Sequence, residues 1–406
     1  MGIANKVRRI LTVKKTLSDI DTKYKRVLVR VDFNVSIKEG LISDDSRIRA
    51  VIPTIEYLRG QGAKVILCSH LGRPEGNIVP SMSLSPVAAE LSKLMGIDIG
   101  FVPDCVGQST EEAVSKLEPG EVLLLENLRF HIEEERNDAD FARQLANLAE
   151  IFVNDGFAVA HRAHASTEGI THYLPSVAGF LMHRELEILG TLLEDPQRPL
   201  VVLLGGAKVS DKIGVLENFI NKVNVILIGG GMAATFLKAE GNSVGSSLVE
   251  DELVALARDI SERARHNQVA LNIPIDVVVA KSFADDSENM TVDVNQIPDG
   301  WLIMDIGHKT LDTYRAAIAN GKTILWNGPS GVFEFNSFSR GTRELAATMA
   351  SLTDAVTVVG GGSTAEAVES LGFGPMMTHV STGGGASLEF LEGKHLPGID
   401  ALIDKE

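Results

Sequence analysis

The chain repeats one alternation: a short, unbroken apolar stretch ending in a polar or glycine turn, then a segment of helical periodicity. In the first half the apolar stretches are RVLVRVDF (26–33), AKVILCSH (63–70), EVLLLEN (121–127) and EIFVNDGF (150–157). SPVAAELSKLM (85–95) and DADFARQLANLAE (138–150) are helical patterns that fall among them. PLVVLLGG, VNVILIGGG, IDVVVA, WLIMDIG, KTILWNG and AVTVVGGG repeat the scheme in the second half. Unbroken apolar runs imply strands covered on both faces, the condition of a parallel sheet flanked by helices. So many strands strain one open sheet, and 406 residues exceed one ordinary core. Two α/β domains are expected. Residues 181–193 read as one amphipathic helix, broken by DPQRP, and could form the hinge element.

Composition narrows the partners. The formal net charge is −16 and the sequence pI near 5.1, which argues against a nucleic-acid surface. A phosphate-bearing ligand then needs a local basic pocket in an acidic body. No apolar run approaches the roughly 20 residues of a membrane span. The start, MGIANKVRRILTVKK, lacks an apolar h-region and a small-residue cleavage site, and Lys6 replaces the Ser or Thr of a myristoylation signal. Cys68 and Cys105 are the only cysteines and make no disulfide framework. A cytoplasmic location is expected.

In a parallel sheet, ligands sit outside the carboxyl ends of the strands. In the first half those ends are DFN (32–34), SHLGRP (69–74), ENLRFH (126–131) and DGFAVAHRAHAS (155–166), with Arg47 in the loop after the first. Arg47, His70, Arg73, Arg129, His161, Arg162 and His164 could therefore converge on one edge. Arginine suits an anion because its planar fork takes two oxygens at once. One such arginine would be an ordinary surface residue, but four at successive strand ends point to an anion site. The histidines of HRAH could simply brace their loop.

The second half opens with LLGGAKVSDKIGVL (203–216), where Lys208 and Lys212 flank a helix start. The P-loop spacing is absent, yet two lysines where a helix dipole disfavours positive charge suggest an anionic ligand. ILWNGPSGVFE (324–334) carries one acid, Glu334, which could accept ribose hydroxyls or serve as an ordinary cap or exposed charge. LIGGGMAATFL (227–237) and VVGGGSTAEAV (358–368) each match the loose fingerprint G-x-G-x-x-A, and STGGGASLEFLEG (381–393) adds a further glycine turn. Glycines for close helix–strand packing would look the same.

With these motifs placed, the chain resembles the phosphoglycerate kinase family from about residue 26 to residue 402. VRVDFNV, SHLGRP, ENLRFH, AHRAH, LGGAKVSDKI, GGGMA, WNGPSGVFE and STGGGASLE occur in the family's order. The resemblance implies an α/β fold of two Rossmann-like, doubly wound parallel-sheet domains joined by a hinge helix. The expected division is a phosphoglycerate-binding domain at 1–180, the hinge helix at 181–195, a nucleotide-binding domain at 196–390, and a tail at 391–406 returning to the first domain. It implies reversible phosphoryl transfer from 1,3-bisphosphoglycerate to MgADP, giving 3-phosphoglycerate and MgATP, by a cytoplasmic monomer without nucleic-acid or membrane partners.

By motif, Asp32, Asn34, Arg47, His70, Arg73, Arg129 and Arg162 resemble the phosphoglycerate ligands, and Arg30 a structural arginine. Lys208 and Lys212 resemble the lysines at the nucleotide and transferring phosphate. Gly231, Gly307, Glu334, Gly361, Gly362, Ser363 and Thr364 resemble the rest of the nucleotide site. The attacking groups, a phosphate oxygen or a carboxylate, need no protein base, so catalysis falls to positioning and charge stabilisation. Arg47 and Lys212 are expected to carry it, with domain closure excluding water. Two departures stand out: Ser363 where the family shows a magnesium-contacting acid, and His308 where it shows proline. Two rivals remain, a nicotinamide-dependent oxidoreductase resting on the G-x-G-x-x-A matches and a non-catalytic descendant resting on Ser363.

Overall fold

The computed structural model describes residues 14–38 and 40–405. They form two compact units: one runs to Gly190 and takes back the chain from His395, and the other is Thr191–Lys394.

The first unit holds a six-stranded parallel sheet of β1 (Arg26–Arg30), β2 (Lys64–Cys68), β3 (Gly100–Val102), β4 (Val122–Leu125), β5 (Ile151–Asn154) and β6 (Ser176–Ala178), in the order β3-β4-β2-β1-β5-β6. Alternate residues of each strand feed opposite cores. Val27, Val29, Val65, Leu67 and Val153 join one, while Leu28, Ile66, Cys68, Leu123 and Phe152 join the other. Both faces are thus covered, which is why the runs read as unbroken. β2 and β5 lie on opposite sides of β1, so the ends of β1 and β5 form the crevice where such sheets bind ligands. The returning tail is pinned beside it. Asn154 donates to the Gly398 carbonyl at 2.9 Å, and the buried Lys14 ammonium reaches the Leu402 carbonyl at 2.9 Å and the Asp404 carboxylate at 2.6 Å.

The second unit has its own parallel sheet: β7 (Leu200–Leu204), β8 (Val225–Ile228), β9 (Ala270–Asn272), β10 (Thr323–Asn327), β11 (Val356–Gly360) and β12 (His379–Val380). Their order is β9-β8-β7-β10-β11-β12, the third-second-first-fourth-fifth-sixth arrangement of dinucleotide-binding folds. IDVVVA and WLIMDIG do not extend this sheet. Asp276–Ala280 pairs antiparallel with both Asn289–Asp293 and Leu302–Ile306 in a separate three-stranded sheet. Val277 and Val279 pack against Ala234 and Leu237, so they are as apolar as a parallel-sheet strand. The partner NMTVD has an exposed first half and carries no apolar signal. Among the described residues no helix is long and apolar enough to cross a membrane.

One helix, Phe180–Glu194, crosses the division at residue 190. The Asp155 carboxylate caps its start, accepting from the Met182 amide at 3.1 Å, and Gly179 leaves room for it: a Cβ there would lie 2.2 Å from that carboxylate. Burial pushes the Asp155 carboxyl up to about 6, against the hydrogen bonds from Thr54, Met182 and Leu181. Its pKa is higher folded than unfolded, so ionisation costs stability as pH rises from 3.8 through about 6. Asp155→Asn should lack this cost. Relative to the parent, its unfolding free energy should improve by about 3 kcal/mol from about pH 4 to pH 7, measured by urea titration at each pH. A difference independent of pH would refute the assignment.

Candidate functional site

The crevice of the first unit gathers most of the expected basic residues. Arg47 lies on the first turn of the helix Ser46–Gly60, not in the preceding loop, and pairs with Asp32. Asp32 accepts from the Asn34 amide at 3.1 Å, and Asn34 accepts from the Gly72 amide at 2.9 Å. Arg30, only 1% exposed, is structural: it donates to Ser166 Oγ at 2.9 Å, to the Val31 carbonyl and to His70 Nδ1 at 3.3 Å. Ser166 in turn donates to the buried Glu134 at 2.6 Å.

Because a guanidinium can only donate, His70 Nδ1 is the acceptor, and the ring's remaining N–H is at Nε2. Burial, then Arg30, Arg129, Arg162 and Arg47, hold His70 well below the ordinary histidine range. All four guanidiniums thus act electrostatically on one imidazole. His164 is likewise pushed down to about 3 by burial and by Arg129, Arg30 and Arg162, and its carbonyl receives the amides of Thr167, Glu168 and Gly169, so it braces the loop. Arg162 donates through Nε to His161 at 3.2 Å. Arg129 is 3% exposed; it donates to the Gly72 carbonyl at 2.8 Å and pairs with Glu135 at 3.1 Å. Its buried Nη2 has no hydrogen-bond partner among the described residues, which suits an incoming anion. Arg73 is exposed.

In the second unit the β7 and β10 ends open a cleft of about 360 Å³, lined by Gly205, Gly206, Lys208, Asp211, Lys212, Asn327, Gly361, Gly362, Ser363, Thr364 and Gly384, among others. Gly328 has a φ of +102°, and a Cβ on it would lie 2.1 Å from the Gly205 carbonyl oxygen, so both turns need glycine. Gly361, with a φ of +87°, turns β11 into the helix Gly362–Ser370, whose first amides line the cleft. Thr364 is fully buried and its hydroxyl accepts from the Gly328 amide at 2.7 Å, so it ties the two turns together. Lys212 donates to Asn327 Oδ1, and burial lowers its pKa against the pull of Asp211 and Glu392. Lys208 is exposed at the rim, and so are Ser363 and the Asp211 carboxylate.

A second cleft of about 320 Å³ shares Gly206 and Ala207 with the first and is mainly apolar. Gly231, Ala234, Leu248, Phe283, Met304, Val332 and Glu334 contribute to its walls. Gly307 lines neither cleft. It precedes the helix His308–Ala319, where a Cβ would strike the Asp276 carboxyl at 2.2 Å, and that carboxylate receives the Lys309 and Thr310 amides at 3.0 and 2.8 Å. His308, in place of proline, begins this helix 3.5 Å from Asp276. The residue that sequence reading missed is Asn327. It ends β10 fully buried, and its Nδ2 has no partner among the described residues. The signal was the polar residue closing ILWN.

Both G-x-G-x-x-A turns follow later strands of the sheet, whereas a dinucleotide fingerprint follows the first. Here the first strand, β7, leads into GGAK. An arginine-lined crevice in one unit, and a glycine- and lysine-lined cleft adjoining an apolar slot in the other, fit a nucleotide-dependent phosphotransferase. A profile of phosphoglycerate kinase matches residues 17–394. Phosphoglycerate kinases of Moorella thermoacetica and Pelotomaculum thermopropionicum are 54% and 55% identical over 392 residues, covering 97% of this chain and all of theirs. The solved phosphoglycerate kinase of Coxiella burnetii superposes with a TM-score of 0.87 at 43% identity, covering 96% of this chain and 98% of that one. That of Pyrococcus horikoshii does so at 0.81 and 33%, with the same coverage. The chain belongs to the phosphoglycerate kinase family.

Asn327→Ala removes both the unpartnered donor and the acceptor that holds Lys212. It should weaken ADP binding about tenfold by calorimetry, the scale of a lost hydrogen bond to a charged group. Unchanged affinity would show that Nδ2 does not face the ligand.

Proposed function

We propose that the chain performs the reaction of its family, reversible phosphoryl transfer from 1,3-bisphosphoglycerate to MgADP to give 3-phosphoglycerate and MgATP, as a cytoplasmic monomer with neither nucleic-acid nor membrane partners. The carrying observation is that the two units present two chemically different clusters of donors, each suited to an anion. The first offers planar guanidinium forks and neutral imidazoles, which suit a small carboxylate- and phosphate-bearing acid. The second offers lysines, helix amides and a free amide donor beside an apolar slot, which suit a nucleotide.

In the first unit, Asp32, Asn34, His70, Arg73, Arg129 and Arg162 bind phosphoglycerate, with His70 donating through Nε2. In the second, Lys208, Gly361, Gly362 and the Asn327 amide hold the nucleotide phosphates, the apolar slot at Gly231 takes the base, and Glu334 accepts from the ribose. Thr364 and Gly307 support this site by fixing the turn and the helix start described above. ADP attacks through a phosphate oxygen, which needs no deprotonation by the protein. What remains is to neutralise charge on the phosphoryl group in transit, and Arg47 and Lys212 do this. A magnesium ion carried by the nucleotide would offset the charge of the phosphates. The exposed Ser363 hydroxyl and Asp211 carboxylate fit it, being oxygen donors on one cleft, with phosphates and waters supplying the rest.

Arg47→Ala should lower kcat about a hundredfold or more while ADP affinity stays within about twofold, because the residue acts on the moving charge. Steady-state turnover with 3-phosphoglycerate and MgATP, beside a direct ADP titration, reads both; near-parental turnover would remove Arg47 from catalysis. Ser363 places a neutral ligand where a carboxylate would add charge. Ser363→Asp should therefore reduce the magnesium needed for half-maximal ADP binding by about threefold to tenfold. Superimposable magnesium curves would mean the serine costs nothing.

A further inference from the structure

In the first unit, two loops outside the arginine crevice bring three different donor atoms together. Asp104 and Cys105 follow β3, and His131 closes the turn Leu128–Phe130 that begins with Asn127. A carboxylate oxygen of Asp104, the Cys105 Sγ and a ring nitrogen of His131 all lie within 4.8 Å of one another. His131 Nε2 and Asp104 Oδ1 are 2.7 Å apart. We propose that Asp104, Cys105 and His131 form a binding site for one soft divalent cation of the zinc(II) class, with water in the fourth position.

The donor set, the geometry and the access agree. Sulfur, imidazole nitrogen and carboxylate oxygen together are the ligands of zinc and of cobalt(II), and not of magnesium or calcium. With metal bonds of about 2.0 to 2.3 Å, the edges of a tetrahedral site are about 3.3 to 3.7 Å, so Asp104 Oδ1 and His131 Nε2 need to part by about 0.6 Å, while no pair has to close by more than about 1.5 Å. The ligands are held from behind. Asp104 Oδ1 receives the Cys105 amide at 2.7 Å, and the His131 ring lies against Phe141 with centroids 5.2 Å apart. The thiol forms a buried floor, while the Asp104 and His131 side chains keep 44% and 30% of their surface exposed, leaving a way in.

Binding balances simply. The Cys105 Sγ–H bond breaks and its proton goes to water as the Sγ–metal bond forms. The hydrogen that His131 Nε2 shares with Asp104 passes to water as Nδ1 takes one up, and the neutral ring then coordinates through the freed Nε2 lone pair while the carboxylate exchanges that hydrogen bond for the metal. Thiolate and carboxylate then neutralise the 2+ ion.

Cobalt(II) titrated into the full, nucleotide-free chain tests this, because a cobalt–thiolate bond gives a near-ultraviolet charge-transfer band. The band should saturate at one equivalent, be displaced by one equivalent of zinc(II), persist in Cys68→Ser and vanish in Cys105→Ser. His131→Gln, on the solvent side, should weaken cobalt binding at least tenfold, with circular dichroism showing the fold retained. No band, a band that survives Cys105→Ser, or equal cobalt affinity in His131→Gln would each overturn the site. Should Cys105→Ser fail to fold, the Cys68→Ser and His131→Gln titrations decide it.

Discussion

The nucleotide end of this protein depends on a backbone collision that glycine avoids. β7 and β10 are neighbours whose following turns depart in opposite directions, and Gly205 and Gly328 meet backbone to backbone where they part. Any Cβ there would occupy a carbonyl's place. Once the two turns lie this close, the rest follows from short range. The Thr364 hydroxyl can reach the Gly328 amide, Asn327 can reach Lys212, and the helix after Gly361 can present its amides to the same cleft. Backbone amides fixed by the sheet thus add to the Lys208 and Lys212 side chains in making a local positive site within an acidic chain.

In the first unit the problem is reversed: several cations must share a small volume. Arg30 is buried, and its charge is met by the Val31 carbonyl, Ser166 and the nearby Glu134. The imidazoles of His70 and His164 are held toward the neutral form first by burial and then by the neighbouring guanidiniums, which oppose a further proton. The crevice thus combines fixed cations with neutral donors, and among the expected phosphoglycerate ligands Arg47 and Arg129 carry ion pairs with Asp32 and Glu135.

Legibility in the sequence followed how far each signal was local. The parallel strands were readable because burial on both faces makes an unbroken apolar run, as in Arg26–Arg30. The same rule misassigned Asp276–Ala280, whose apolarity comes from Ala234 and Leu237 and whose antiparallel partner, NMTVD, is polar and exposed. Arginines at strand ends stood out because charge is costly there without a ligand. Asn327 did not, since a single amide carries no charge, and its meaning lies in an unpaired Nδ2 that only packing creates. Gly307 illustrates the opposite limit: a glycine beside a ligand and a glycine beside a buried carboxylate look the same in one dimension.

The tail from His395 bears on how the chain comes to be folded. The buried Lys14 ammonium and the Asn154 amide both find their carbonyl partners in the last dozen residues. During synthesis those residues emerge after the whole of Thr191–Lys394. The unit that begins first is therefore finished last, and the second unit, contiguous in sequence, has all its residues in hand while the first still lacks part of its edge. A ribosome-bound chain stopped just short of His395 would leave the Lys14 ammonium and the Asn154 side-chain amide without these acceptors.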